Sequence, residues 1–256
     1  MIHPLLHRQA VPVDRDEHRT LRVKLPLTDW SVADKLNAIF ISAVEFGDIC
    51  REYPIVFVRA GQADNGTPQI APIAVLGLLQ DENLYVEGDR WRPMAYLPAV
   101  LRSYPFGIAR IDAERFAVCI DAAFSGLSQT EGEPLFTPDG QPSAMLTQTQ
   151  QQLERIESEV QRTRGVCARL AELDLLRDMR FDATLPDGRK HTVDGFLTVD
   201  EAKLQALPDA TVVEMHRQGL LGLVHAHWVS MGNMRKLLDW HVQRHGVAAA
   251  PLAVPA

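Results

Sequence analysis

"REYPIVFVRAGQADNGTPQIAPIAVLGLL" (Arg51–Leu79) decides how the chain is read. Pro54 biases Tyr53 away from helix, so the short helical segment before it, within Asn37–Ala60, must give way to an extended run. Ile55, Val56, Phe57 and Val58 are β-branched or aromatic residues of the kind that fill strands. Gly61–Gln69 is dense in turn residues, and Ile70–Leu79 then supplies a second apolar strand. "DENLYVEGDRW" (Asp81–Trp91) continues as a turn and a third short strand at Leu84–Val86.

Working outward, Met94–Tyr104 is expected to form about three helical turns, with Pro98 tolerable only near the first of them. It ends at "RSYPFGI" (Arg102–Ile108), which echoes "REYPIVF" (Arg51–Phe57) and uses the same local chemistry to stop a helix and begin a strand. "FAVCIDAAF" (Phe116–Phe124) continues the sheet. The Gly-, Pro- and acid-rich segment Ser128–Ser143 is the best internal boundary. A long helix over Ser143–Leu176 follows, with Leu146, Leu153, Ile156, Val160, Cys167 and Leu170 at a/d-like spacing. That seam allows a homodimer, although its gaps at Thr149 and Thr163 and the mid-helix Gly165 favour packing within the protein.

Pro186-Asp187-Gly188 marks the turn of a hairpin within Arg180–Asp200. Thr198 or Asp200 can cap the next helix, and a last helix runs from about Leu220 to Val242. The expected fold is α+β. A mixed or mostly antiparallel sheet built from Ile55 to Phe124 packs against the long helix, with the C-terminal hairpin and helices completing one compact domain over residues 21–245. Residues 1–20 read as an extended arm and 246–256 as a flexible tail. Two lobes joined at 128–143 are the alternative.

Of 256 residues, 46% are hydrophobic and 23% charged, the balance of a globular protein and not of a disordered one. A net charge of -7 argues against general nucleic-acid binding, which needs a basic face to displace counterions. The most apolar windows, Ile70–Leu79 and Gly219–Gly232, fall short of the roughly 20 apolar residues of a spanning helix or carry histidines. The N-terminal segment lacks an apolar core of signal-peptide length. Three widely spaced cysteines, Cys50, Cys119 and Cys167, suit a reducing compartment. The expected location is cytoplasmic.

Candidate chemistry is dispersed. No phosphate-binding glycine loop, zinc-protease motif, paired CxxC or nucleophile elbow occurs, so no cofactor is expected. In "RWRPMAYLPAVLRSY" (Arg90–Tyr104), aromatic and basic residues alternate. Asp89, Arg90, Trp91, Arg92, Tyr96, Arg102 and Tyr104 could present guanidinium forks and ring faces to a peptide or carboxylate ligand. Against this, Trp91, Tyr96 and Leu97 could plug the helix onto the sheet while the arginines pair with Glu87 and Asp89.

His225 and His227 form an alternative site. Two residues apart on a helix they diverge by about 200°, which puts His227 on the apolar face beside Met231 and His225 on a flank. A buried, hydrogen-bonded His227 is expected in preference to a metal ligand. His241 and His245 have a spacing that can chelate zinc, but no third ligand is visible nearby in sequence. They read instead as cations complementing a helix C-terminus, and no metal is expected. Glu131 and Glu133 read as a solvated acidic loop. Asp112 and Asp121 carry nothing that singles them out, and Cys119 reads as a small buried hydrophobe.

"EFGDICREYPIVF" (Glu45–Phe57), "PIAVLGLLQDENLYVEGDRW" (Pro72–Trp91), "YLPAVLRSYPFGI" (Tyr96–Ile108), "EGEPLF" (Glu131–Phe136), "DGFLTVDEAKLQAL" (Asp194–Leu207) and "LLGLVHAHWVSMGNMRKL" (Leu220–Leu237) stand in the order expected of the bacterial SapC family. The chain resembles that family from about residue 37 to 240. The resemblance implies a link to a surface-layer locus. It also implies a neighbourhood of TonB-dependent receptors and flavin-type tryptophan halogenases, hence a role in nutrient uptake or in handling surface proteins. It brings no catalytic residues with it. The permease label attached to some members does not fit a chain lacking a spanning segment. Together these readings point to a non-catalytic binding or accessory protein that recognises a peptide or partner protein. The alternative is an enzyme acting on a small molecule, or modifying a protein, through Asp89, Arg90, His225 or His227.

Overall fold

The structure is a computed structural model that describes residues 2–62, 66, 68–111, 115–184 and 190–245. The Pro186-Asp187-Gly188 turn, Asp112 and the tail at 246–256 lie outside the described residues. The class is α+β as expected, and every ladder between described strands is antiparallel. The backbone groups into two compact units, Met1–Lys35 with Val86–Gln161, and Leu36–Tyr85 with Arg162–Ala256.

The second unit holds a five-stranded sheet in the order Leu176–Thr184, Lys190–Val199, Ile55–Gln62, Pro68–Val75, Ala38–Phe40. Ile55 pairs with Ala74 and Phe57 with Pro72, so the two strands expected from the opening sequence face each other across the turn region. Leu176–Thr184 and Lys190–Val199 form the expected hairpin, and Leu197 opposite Phe57 joins it to the sheet. Ile55, Val56 and Phe57 are all buried, as suits a strand covered on both faces. Tyr53 stacks on Tyr85 with ring centroids 4.2 Å apart.

Pairing divides the single sheet expected over Ile55–Phe124. Phe106–Arg110 and Phe116–Asp121 pair with each other, and Ala10–Pro12 adds to the outer edge of Phe116–Asp121 as a third strand. This small sheet belongs to the first unit. Residues near the N-terminus are correspondingly tied in, with Leu6 and His7 buried and the His7 ring hydrogen-bonded to the Phe106 carbonyl. The segment expected as an extended arm thus contributes one edge strand and a buried leucine.

The long helix runs over Ala144–Glu172. Ser143 Oγ accepts from the Leu146 amide and caps its start. Asp174, at φ 52, ends it in the left-handed conformation usually given to glycine, with the Leu175 amide returning to the Leu170 carbonyl. Leu146, Leu153, Val160, Cys167 and Leu170 are buried as their spacing predicts, whereas Ile156 is only half-buried. Thr163, a gap in the apolar seam, is also buried, and its hydroxyl accepts from the Ala43 amide.

Two helical expectations change. Met94–Tyr104 is helical only over Ala99–Arg102, because Pro98 occupies the N-cap in an extended conformation and Met94 is left-handed at φ 64. The expected helix over Leu220–Val242 is two helices, Leu220–Ser230 and Asn233–His245. The break falls at Gly232, beside Asn233, whose amide group donates to the Cys50 and Tyr53 carbonyls. Of the two possible caps, Asp200 is the one used, accepting from the Ala202 and Lys203 amides.

Candidate functional site

The aromatic and basic strip lies in the first unit. Val86–Glu87 and Arg90–Trp91 form a two-residue ribbon that turns at Gly88, whose φ is 63; the left-handed turn suits a residue without Cβ. Trp91 leans on Trp30 with ring centroids 5.4 Å apart, and the Trp30 amide donates to the Asp89 carbonyl. Trp91 therefore anchors the ribbon. Arg92 pairs with Glu87 at 2.7 Å. Asp89 and Arg90 remain exposed.

Beyond the ribbon, Met94 projects into solvent with 98% of its surface exposed. Tyr96, two residues on, carries the Arg102 guanidinium 5.2 Å above its ring centroid. The same guanidinium donates to the Tyr96 hydroxyl at 3.1 Å. This stack holds a planar fork of donors in place at an exposed position, the arrangement that suits a carboxylate.

Tyr104 belongs elsewhere. It is buried, and its hydroxyl donates to Oδ2 of Asp121 at 2.9 Å. Its ring meets Phe124 and His7 edge-on. Burial and the Asp121 carboxylate both push its phenol above the usual range. The second oxygen of Asp121 accepts from the Gln9 and Ala123 amides. Tyr104 and Asp121 line a cleft of about 190 Å3 together with Arg8 and Asp29. The carboxylate facing it is already occupied by three donors, which makes Asp121 a tie between strand and N-terminal segment, not a free base.

The two histidines of the alternative site diverge as their spacing predicts. His225 is exposed, with its ring against Trp228. His227 is fully buried. Its Nε2 accepts from the Val199 amide at 3.2 Å, which fixes the proton on Nδ1. Nδ1 then donates to the Ile55 carbonyl at 2.7 Å, and the Thr198 hydroxyl donates to Nε2 at 2.8 Å. Burial pulls its pKa down to about 4, against the opposing pull of the Ile55 carbonyl. Both ring nitrogens are engaged in joining the helix to the sheet, so His227 is a structural tie.

A third group joins His241 and His245, and the sequence gives no local sign of it. Glu82 lies in the loop Leu76–Leu84, where the Leu84 amide returns to the Leu76 carbonyl. Gly77 is required there, because a Cβ would stand 1.9 Å from the Glu82 carbonyl oxygen. The Glu82 carboxylate is buried. Oε2 accepts from the Leu78 and Leu79 amides at 3.0 and 3.2 Å. Oε1 accepts from Nδ1 of His241 at 3.0 Å and Nε2 of His245 at 2.8 Å. Burial alone would raise this carboxyl, but hydrogen bonds from His245, the Leu78 amide and His241 outweigh it and hold the pKa below the usual value. Met234, Leu237 and His241 are the buried face of the terminal helix, which brings His241 to the loop. Glu82 stands 159 positions from His241, and spacing arguments within one helix do not reach that far.

A protein-family model described as SapC matches residues 13–237, and the chain belongs to the SapC family. None of the curated proteins and none of the solved structures matches it. Among the described residues, no helix is long and apolar enough to cross a membrane.

Proposed function

We propose, taking membership of the SapC family as the premise, that the protein is a non-catalytic binding or accessory protein that recognises a peptide or partner protein through the Asp89–Arg102 surface. The observation that carries this reading is the exposed Met94, two residues before the Tyr96 ring that holds the Arg102 fork. A single exposed apolar side chain is ordinary. Here its neighbours in the chain are residue types that dominate protein interfaces, an aromatic ring and arginines, in the segment that leaves the ribbon held by Trp91. The partner segment that fits carries a carboxylate for Arg102 or Arg90 and an apolar side chain for Met94. Surface-protein or TonB-dependent uptake systems are the partners we favour, and the protein would meet them from the cytoplasm.

The enzyme reading gains less support. His227 has no free nitrogen, and Asp121 in the cleft is fully engaged. The test replaces Arg90, Met94 and Arg102 by alanine together and measures capture of partner proteins from a lysate of the source cells. The binding reading expects specific captured species to be lost from a variant that unfolds at the wild-type temperature. Unchanged capture would reject it.

A further inference from the structure

We propose that Glu82, His241 and His245 form a binding site for a first-row divalent transition metal. The three side chains each offer one ligand atom, and these atoms lie within 4.8 Å of one another. Two imidazole nitrogens and one carboxylate oxygen are a donor set suited to zinc or iron(II) and poorly suited to magnesium or calcium, which favour oxygen ligands.

The dimensions fit a small ion. Zinc bonds to nitrogen and oxygen of about 2.0–2.2 Å place ligand atoms roughly 3.3 Å apart across a tetrahedral angle. The Oε1 to nitrogen distances are 3.0 and 2.8 Å, those of hydrogen bonds within the cluster. Opening these two distances by a few tenths of an ångström, while the two imidazole nitrogens, which lie within 4.8 Å of each other, draw to a similar separation, admits the ion. Each imidazole must then offer a lone pair, so the proton on His241 Nδ1 and on His245 Nε2 moves to the other ring nitrogen or to solvent.

Contacts within the fold already orient the three side chains. Oε2 of Glu82 is held by the Leu78 and Leu79 amides, which leaves Oε1 turned to the two rings. That is the outer-shell support that orients a metal-binding carboxylate. The close approach of Gly77 to Glu82 fixes the loop, and one turn of helix sets the two rings, with centroids 4.5 Å apart. Among the described residues, the donors to this buried carboxylate are two amides and two imidazoles, and a divalent cation would supply a full positive charge. The His245 side chain is 43% exposed, so the ion has an entry path and solvent can fill its remaining position.

The test uses the full, untagged chain, stripped with a chelator and titrated with zinc chloride, with cobalt chloride as a second probe. We expect one zinc bound per chain, visible cobalt bands of low-coordinate geometry, and no competition from excess magnesium. His245→Asn, at a partly exposed position, should fold as the wild type does in chelator and bind zinc at least about tenfold more weakly. Glu82→Gln should weaken binding likewise, whereas His225→Asn, which alters an exposed histidine outside the cluster, should leave it unchanged. No zinc bound at stoichiometric concentration would overturn the proposal. Equal affinity in the wild type and His245→Asn would overturn it too, by placing the ion among the other histidines.

Discussion

Nδ1 of His227 donates to the carbonyl oxygen of Ile55 across 2.7 Å, joining the helix Leu220–Ser230 to the middle strand of the five-stranded sheet. Because burial lowers the His227 pKa to about 4 from 6.5, the folded state resists a proton that the unfolded chain accepts. The stability conferred by the neutral ring is complete above pH 6.5 and is lost as pH falls from 6.5 towards 4. At full extent the loss is about 3 kcal/mol. Urea unfolding at pH 7.5 and at pH 5 should show a large part of it, and His227→Gln should flatten the dependence. An unaltered slope in that variant would assign the acid sensitivity to other groups.

The Tyr104–Asp121 bond carries a second expectation. Tyr104→Phe leaves the ring packing on Phe124 but removes one of three donors to a buried carboxylate. A hydrogen bond to a charged group contributes about 1.5–3 kcal/mol. Chemical denaturation should register a loss of that size, and a change below about 0.5 kcal/mol would show that solvent in the cleft replaces the phenol.

Thiol reactivity should separate the three cysteines. Cys167 is buried and burial pushes its thiol up to about 12, while burial also raises Cys119. Cys50 is only half-buried. A maleimide at neutral pH should label Cys50 in the native protein and reach the other two only on unfolding. Early labelling of Cys167 would contradict the helix packing described above.

Met94 lets binding and stability be read apart. Its left-handed backbone costs a non-glycine residue about 1–2 kcal/mol. Met94→Gly removes that strain but loosens the unfolded chain, so stability should hold or rise by up to about 1 kcal/mol. Partner capture should fall in the same variant. A marked loss of stability would mean that the side chain packs against something.

Local chemistry in the sequence was enough for the strands beginning near Ile55 and Ile70, the hairpin within Arg180–Asp200 and most of the buried stripe of the long helix. β-Branched runs and heptad-like spacing act within a few residues, so they can be read directly. The divergence of His225 and His227 was legible for the same reason. What escaped were long-range pairings. Ala10–Pro12 carries no strand pattern of its own, yet it completes a sheet with Phe116–Asp121. Glu82 reads as one polar residue in a turn, and only the tertiary fold brings it to His241 and His245. Tyr104 groups with the strip in sequence because aromatic and basic residues alternate along it, whereas in the fold Arg102 is exposed and the buried Tyr104 bonds to Asp121.

Partner recognition at Met94 is tested most directly by a photo-crosslinking amino acid at that position in living cells, with the same amino acid at exposed Ile111 as a control. Discrete adducts should form from position 94, disappear when Arg90 and Arg102 are both alanine, and be absent from position 111. Adducts that are the same from both positions, or that persist without the two arginines, would contradict the assignment of this surface to a partner.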